Sequence, residues 1–224
     1  LSPAGEDLVL RLVVAPLGET GPRLMPGAGR GKVFAAVGGE NLSAQRDLPG
    51  EQANLDAVLD ALPFLDPPRR SDTVCEWRIA DPEHALDVVE RLPTLSAVTA
   101  VDWPKGKSLR VLSVDAAQLG LQVSTGHGWF SLTGTAQLDQ GLVLTLEELL
   151  AWTGEGRGRF IPMGKGVYAA LTDRLREQLV DLAAVAESGK DGVRVPYLAA
   201  AWLDQVLEGS GAELDAGFRQ RIDR

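Results

Sequence analysis

Cysteine, histidine and aromatic side chains are scarce in this 224-residue chain. A single cysteine, Cys75, excludes an internal disulfide and a multi-thiolate zinc site. Two histidines, His84 and His127, leave little room for imidazole chemistry. No run of apolar residues is long enough for a membrane-spanning helix, and no basic stretch followed by an apolar core marks a secretory leader. Basic residues are outnumbered 22 to 31, for a net charge of −9. That excludes a general polyanion or anionic-membrane binder, because tracking phosphate needs a net positive surface. An initiator methionine is missing, and Arg224 ends the chain in a helix-like stretch, so a piece of a longer protein is expected.

What is present is ordinary globular material, 45% apolar and 24% charged, with enough chain for one large domain or two small ones. Leu8 to Val14 reads as a strand, and the Gly- and Pro-rich stretch from Leu17 to Gly31 as a loop. Val33 to Arg46 reads as a hairpin about Gly38-Gly39. Leu55, Val58, Leu59 and Leu62 form a helical stripe, which Pro63, Pro67 and Pro68 end. Trp77 and Ile79 mark a strand, Asp81-Pro82 opens a second helix, and Val98 to Trp103 is expected to close the unit as a strand. After the turn-forming Pro104-Lys105-Gly106-Lys107 come strands at Leu109–Val114, Leu121–Val123, Trp129–Leu138 and Leu142–Leu144. Thr145 and Glu148 form a capping box for a Leu-rich helix. A hairpin at Arg159–Ala170 leads into a helix capped by Thr172. Residues 188–194 read as a polar linker before two helices, one bearing Leu198, Trp202 and Val206, the other Leu214, Phe218 and Ile222. The expected fold class is α+β: small mixed domains at 1–104 and 105–187 with antiparallel hairpins and packed helices, then a helical segment at 188–224.

Chemistry-bearing patterns are few. Gly27-Ala28-Gly29-Arg30-Gly31-Lys32-Val33 resembles a phosphate loop only superficially. Pro26 takes the first glycine position, Val33 takes the hydroxyl position, and a strand follows where a helix is needed. Asp81-Pro82-Glu83-His84 is explained by a cap and a first-turn proline. Glu147 and Glu148 offset a helix dipole. Cys75, His84 and His127 match no ligand spacing. Charge is uneven: residues 1–104 carry −7 and residues 105–224 carry −2. The stretch 154–176 is locally basic, with Arg157, Arg159, Lys165, Arg174 and Arg176 as candidate nucleic-acid contacts. Trp129, Phe130, Phe160 and Tyr168 are candidate interface aromatics.

Three blocks form a larger pattern: Trp129-Phe130-Ser131-Leu132-Thr133-Gly134, Leu144 to Leu150, and Gly158 to Leu171. Together they resemble the accessory region N-terminal to the motor of bacterial Swi/Snf-type helicases of the DEAD/DEAH-box class. Arg159-Phe160, Gly164, Gly166, Tyr168 and Ala170-Leu171 carry the match, with further similarity at Arg11–Gly18, Pro22, Pro26–Gly29 and Gln45–Leu48. The resemblance spans roughly residues 8–207. It implies a non-catalytic, cytoplasmic helicase-associated domain that packs on or regulates the motor lobes of the same polypeptide. ATP and magnesium are implied for those lobes and no cofactor for this segment. It also leaves room for direct DNA or RNA contact through the 157–176 face.

Overall fold

The computed structural model describes residues 1–65, 69–70, 75–189, 192–208 and 210–222. The expected break at Pro67 and Pro68 lies outside them. The protein is an α+β chain that divides into two units, Leu1–Arg110 and Val111–Arg224.

In the first unit, β1 (Ser2–Ala4) and β2 (Asp7–Leu12) are followed by the glycine-rich loop. Next come the ribbon β3 (Lys32–Val37) and β4 (Glu40–Gln45), then helix α1 (Leu48–Ala61). Strands β5 (Arg69–Arg70) and β6 (Cys75–Ile79) and helix α2 (Pro82–Arg91) complete the unit. One sheet runs β1-β2-β6-β5, while β3 and β4 form a sheet of their own. Leu8, Leu10, Trp77 and Ile79 are buried with Val88 and Leu92. Helix α2 starts at Asp81-Pro82 as the sequence predicts, and α1 is capped by Asp47, which the apolar stripe did not mark. Asp47 accepts from the Gly50 N–H and Asp81 from the His84 N–H, each satisfying an otherwise orphaned donor. Val98–Trp103 is not a strand. It joins no sheet among the described residues despite its alternating composition.

The second unit opens with β7 (Arg110–Val114), β8 (Gln122–Thr125) and β9 (Trp129–Thr133). They are followed by β10 (Thr135–Gln137), β11 (Val143–Thr145) and α3 (Leu146–Gly154). Then come β12 (Phe160–Gly164), β13 (Val167–Leu171) and α4 (Asp173–Val185). The end is formed by β14 (Glu187–Gly189), β15 (Gly192–Pro196), α5 (Ala200–Leu207), β16 (Glu213–Leu214) and α6 (Ala216–Ile222). The main sheet has the order β14-β15-β9-β8-β16, and a smaller one the order β12-β13-β7. Phe130, Leu132, Val193 and Val195 point into a core shared with Leu146, Leu171, Leu179 and Phe218. Each large apolar side chain buried there contributes about 1.5–3 kcal/mol.

Three expectations for this end of the chain are corrected. The described residues of the segment read as a polar linker belong to the antiparallel pair β14–β15, and Val193 and Val195 lie in register with Leu132 and Phe130. Leu214 belongs to β16, paired in parallel with β8, not to a helical stripe. Leu198 lies in a single 3-10 turn before α5 and is fully exposed.

Candidate interaction surface

The residues of the 158–171 block build one hairpin, β12–β13, whose second strand lies beside β7. Phe160, Ile161 and Pro162 pair with Ala170, Ala169 and Tyr168, and a bulge at Met163 precedes the Gly164–Val167 pair. The turn residues Lys165 and Gly166 both have positive φ, 52° and 74°, the backbone of a tight hairpin turn whose twist matches its strands. At the base, Ala169, Ala170 and Leu171 are buried, and the Leu171 N–H donates to the Arg159 carbonyl at 3.0 Å. Thr172 then caps α4 through the Leu175 N–H. Lys165 is the one non-glycine residue in the left-handed region among the described residues. An L-residue pays for that conformation in Cβ–carbonyl crowding of about 1–2 kcal/mol.

The five basic residues do not converge on one spot. Arg157 lies over the Trp152 ring at 4.6 Å and pairs with Glu155 at 2.5 Å, both side chains about half exposed. The Trp152 indole donates to the Gly158 carbonyl at 2.7 Å, which fixes the loop that carries both arginines. Arg159 covers Phe160 at 4.5 Å. Lys165 stands at the other end of the hairpin, about 17 Å of strand away at the usual rise per residue. Arg174 donates to the Glu208 carbonyl at 2.8 Å. Arg176, two residues further on, points to another side of α4, since two residues rotate a helix by about 200°. Beside Trp152, Arg157, Pro162 and Met163 lies an open cleft of about 420 Å³.

The candidate aromatics separate by burial. Phe130 is a core residue, packed 4.8 Å from both Tyr197 and Phe218, and presents no surface. Phe160 is likewise buried beneath Arg159. Strand alternation explains the first correction: of neighbours Trp129 and Phe130, one must face inward. Trp129 is half-buried on the outer face, with the Arg194 guanidinium 4.6 Å over its ring. Tyr168 is half-buried on the hairpin.

Two anchoring residues carried no signal in composition or spacing. Arg46 is buried, and its guanidinium pairs with Glu51 at 2.5 Å while donating to the carbonyls of Met25 and Ala28, both at 2.8 Å. Glu51 also accepts from the Gly27 N–H at 3.0 Å. The glycine-rich loop is thus wrapped around an ion pair. A carboxylate occupies the amide that a phosphate would need, so the loop does not fit a nucleotide. The second anchor is Asp215, which accepts from the N–H and hydroxyl of Thr125 and from the Phe218 N–H. Burial pushes its carboxyl up, but donors from Phe218, Thr125 and Gly217 outweigh that and hold the pKa below the ordinary carboxylate value.

The remaining chemistry-bearing residues are placed simply. Cys75 is wholly buried in β6, His84 stacks on Phe64 at 4.2 Å, and His127 is exposed in the β8–β9 turn. Among the described residues no three His, Cys, Asp or Glu side chains gather as a metal site, and no helix is long and apolar enough to cross a membrane. The first unit also holds a cleft of about 1280 Å³, lined by Leu10, Leu55, Val58, Val101 and Trp103 and containing no histidine or cysteine. No family model, curated protein or solved structure matches the chain.

Proposed function

We propose that this chain is a non-catalytic accessory module of a bacterial Swi/Snf-type ATP-dependent DNA helicase or translocase, working in the cytoplasm by docking on the motor lobes and adjusting their rate. The observation that supports this is the β12–β13 hairpin. The residues of the resemblance each have a place in it: Arg159 and Phe160 at the base, Gly164 and Gly166 about the turn, Ala170 and Leu171 in the core beneath. Tyr168 and the half-buried Trp129 supply aromatic contact area of the kind enriched at protein interfaces. In this reading ATP and magnesium belong to the motor lobes, and no nucleotide chemistry is assigned to the present residues. The test is kinetic. The chain alone turns over no ATP, and adding it to a separately made motor alters the DNA-stimulated ATPase rate; an unchanged rate with no measurable binding to the motor rejects the proposal.

One observation favours a second reading, direct nucleic-acid contact. A lysine held in the left-handed region at a hairpin tip is a strained choice where asparagine or glycine would be relaxed, and such strain concentrates at functional positions. This reading expects salt-sensitive DNA or RNA binding that weakens when Arg157, Arg159 and Lys165 become alanine, with a shallower salt dependence. Absence of any anisotropy change at low salt rejects it.

A further inference from the structure

The β3–β4 ribbon is a sheet of two strands, and two strands alone are marginal in water. Its residues run in unbroken register from Lys32–Gln45 to Val37–Glu40, joined by Gly38 and Gly39, both with positive φ. Its root is held firmly, because the Arg46 N–H donates to the Gly31 carbonyl and the Arg46 side chain is buried in the loop below. The far part is open. Phe34 is 69% exposed and Leu42 38%. The outer edge of β3 has no strand partner among the described residues, and Val33-Phe34-Ala35-Ala36-Val37 contains no charge, proline or bulge. Those are the devices by which native edges discourage pairing. The outer edge of β4, with Glu40, Asn41, Ser43 and Gln45, is polar by contrast.

We infer that the β3 edge pairs with the β3 edge of a second copy, giving a four-stranded sheet across a two-fold axis. The symmetry limits the register. Antiparallel neighbours lie on the same face of a sheet, so an isologous pair must be centred on a residue, not between two. Centring on Ala35 sets the uncharged run Val33–Val37 wholly against itself, with Val33 opposite Val37 and Phe34 opposite Ala36 of the other copy. Lys32 then falls opposite Gly38, so no like charges meet. The two Phe34 rings become diagonal neighbours on one face, within aromatic reach. The alanines at 35 and 36 leave that approach unobstructed. A second copy suits this edge because Val33–Val37 is uncharged and, turned about the two-fold axis, meets itself with Phe34 against Ala36 and the single charge, Lys32, against a glycine. Each copy carries −9, so the pair tightens as salt rises, opposite to an interface built on ion pairs.

The test uses the whole chain. Sedimentation equilibrium from micromolar to submillimolar concentration shows a monomer–dimer equilibrium strengthened by salt. Phe34→Glu, at an exposed position, weakens it about tenfold or more, since the two-fold axis counts the change twice. In Ala35→Cys the two thiols lie directly opposite, within the Cα spacing a disulfide needs, and an added oxidant links the dimer. Ser43→Cys on β4 stays unlinked, and buried Cys75 does not compete. A chain that remains monomeric throughout overturns the inference. So does a dimer that Phe34→Glu leaves intact and Ala35→Cys fails to cross-link, or a ribbon whose amides gain protection only when motor lobes are added.

Discussion

A buried arginine organises the least regular part of the first unit. Arg46 turns the loop from Met25 to Arg30 into a fixed structure by giving its donors to loop carbonyls and its charge to Glu51. Removing one member of such a pair strands the other in a desolvated site. Arg46→Ala is therefore expected to cost about 3–5 kcal/mol, read by denaturant unfolding of the chain, whereas Glu51→Asp, which shortens the reach, costs less. Lys165 makes the opposite case. Lys165→Asn relieves left-handed crowding and raises stability by up to about 1 kcal/mol, and under the nucleic-acid reading it weakens DNA binding at the same time. A variant that is more stable and binds DNA unchanged removes Lys165 from any contact. Asp215 gives a pH signature. Its folded pKa lies below the unfolded value, so its contribution is present above the ordinary carboxylate range and is lost as pH falls through the folded pKa. Hydrogen exchange in α6 should accelerate in that acid window. Asp215→Ala should produce the loosening at neutral pH, at about 1–2 kcal/mol, with the acid-induced change abolished.

At the scale of elements, the glycine at 192 decides whether β15 can reach β9. Its φ is +111°, and a Cβ there would stand 2.6 Å from the Leu132 carbonyl oxygen, so both backbone conformation and space exclude a side chain. Gly192→Ala is expected to cost about 1–3 kcal/mol and to free the β14–β15 pair, visible as lost amide protection at Val193 and Val195. Gly38→Ala, with positive φ but open space around it, should cost less. The contrast between these elements explains what the amino-acid pattern could reveal. Caps at Asp81, Thr145 and Thr172, and the turns at Gly38-Gly39 and Lys165-Gly166, depend on a few adjacent residues, and the structure contains them all as read. Val98–Trp103 and residues 187–196 depend on which sheet edge is open, a property of residues far away in the chain. Of the candidate surface, the basic residues were visible by charge. Their dispersal over a loop, a hairpin tip and α4 was not. The burial of Phe130 and Phe160 follows from how their strands face the core, and Arg46 and Asp215 matter through partners that no local pattern names.

At the scale of the whole molecule, acidity is concentrated in residues 1–104, at −7, while the rest carries −2. Salt should therefore act differently on the two proposed interactions. The self-association inferred for the ribbon gains from screening, and any nucleic-acid contact through Arg157, Arg159 and Lys165 loses by it. A titration of both on one sample separates them. The order in which strands enter the main sheet has a consequence for synthesis. β9 is flanked by β8, its near neighbour in the chain, and by β15, while β8 receives β16, so Gln122 pairs with Glu213. The first unit's strands have all left the ribosome before the second begins to assemble. The second cannot close its sheet until about eighty further residues follow β9, roughly 4–16 s at ordinary elongation rates. During that interval Phe130 and Leu132 await their cover, and a nascent chain paused there is the form in which this protein most needs a chaperone.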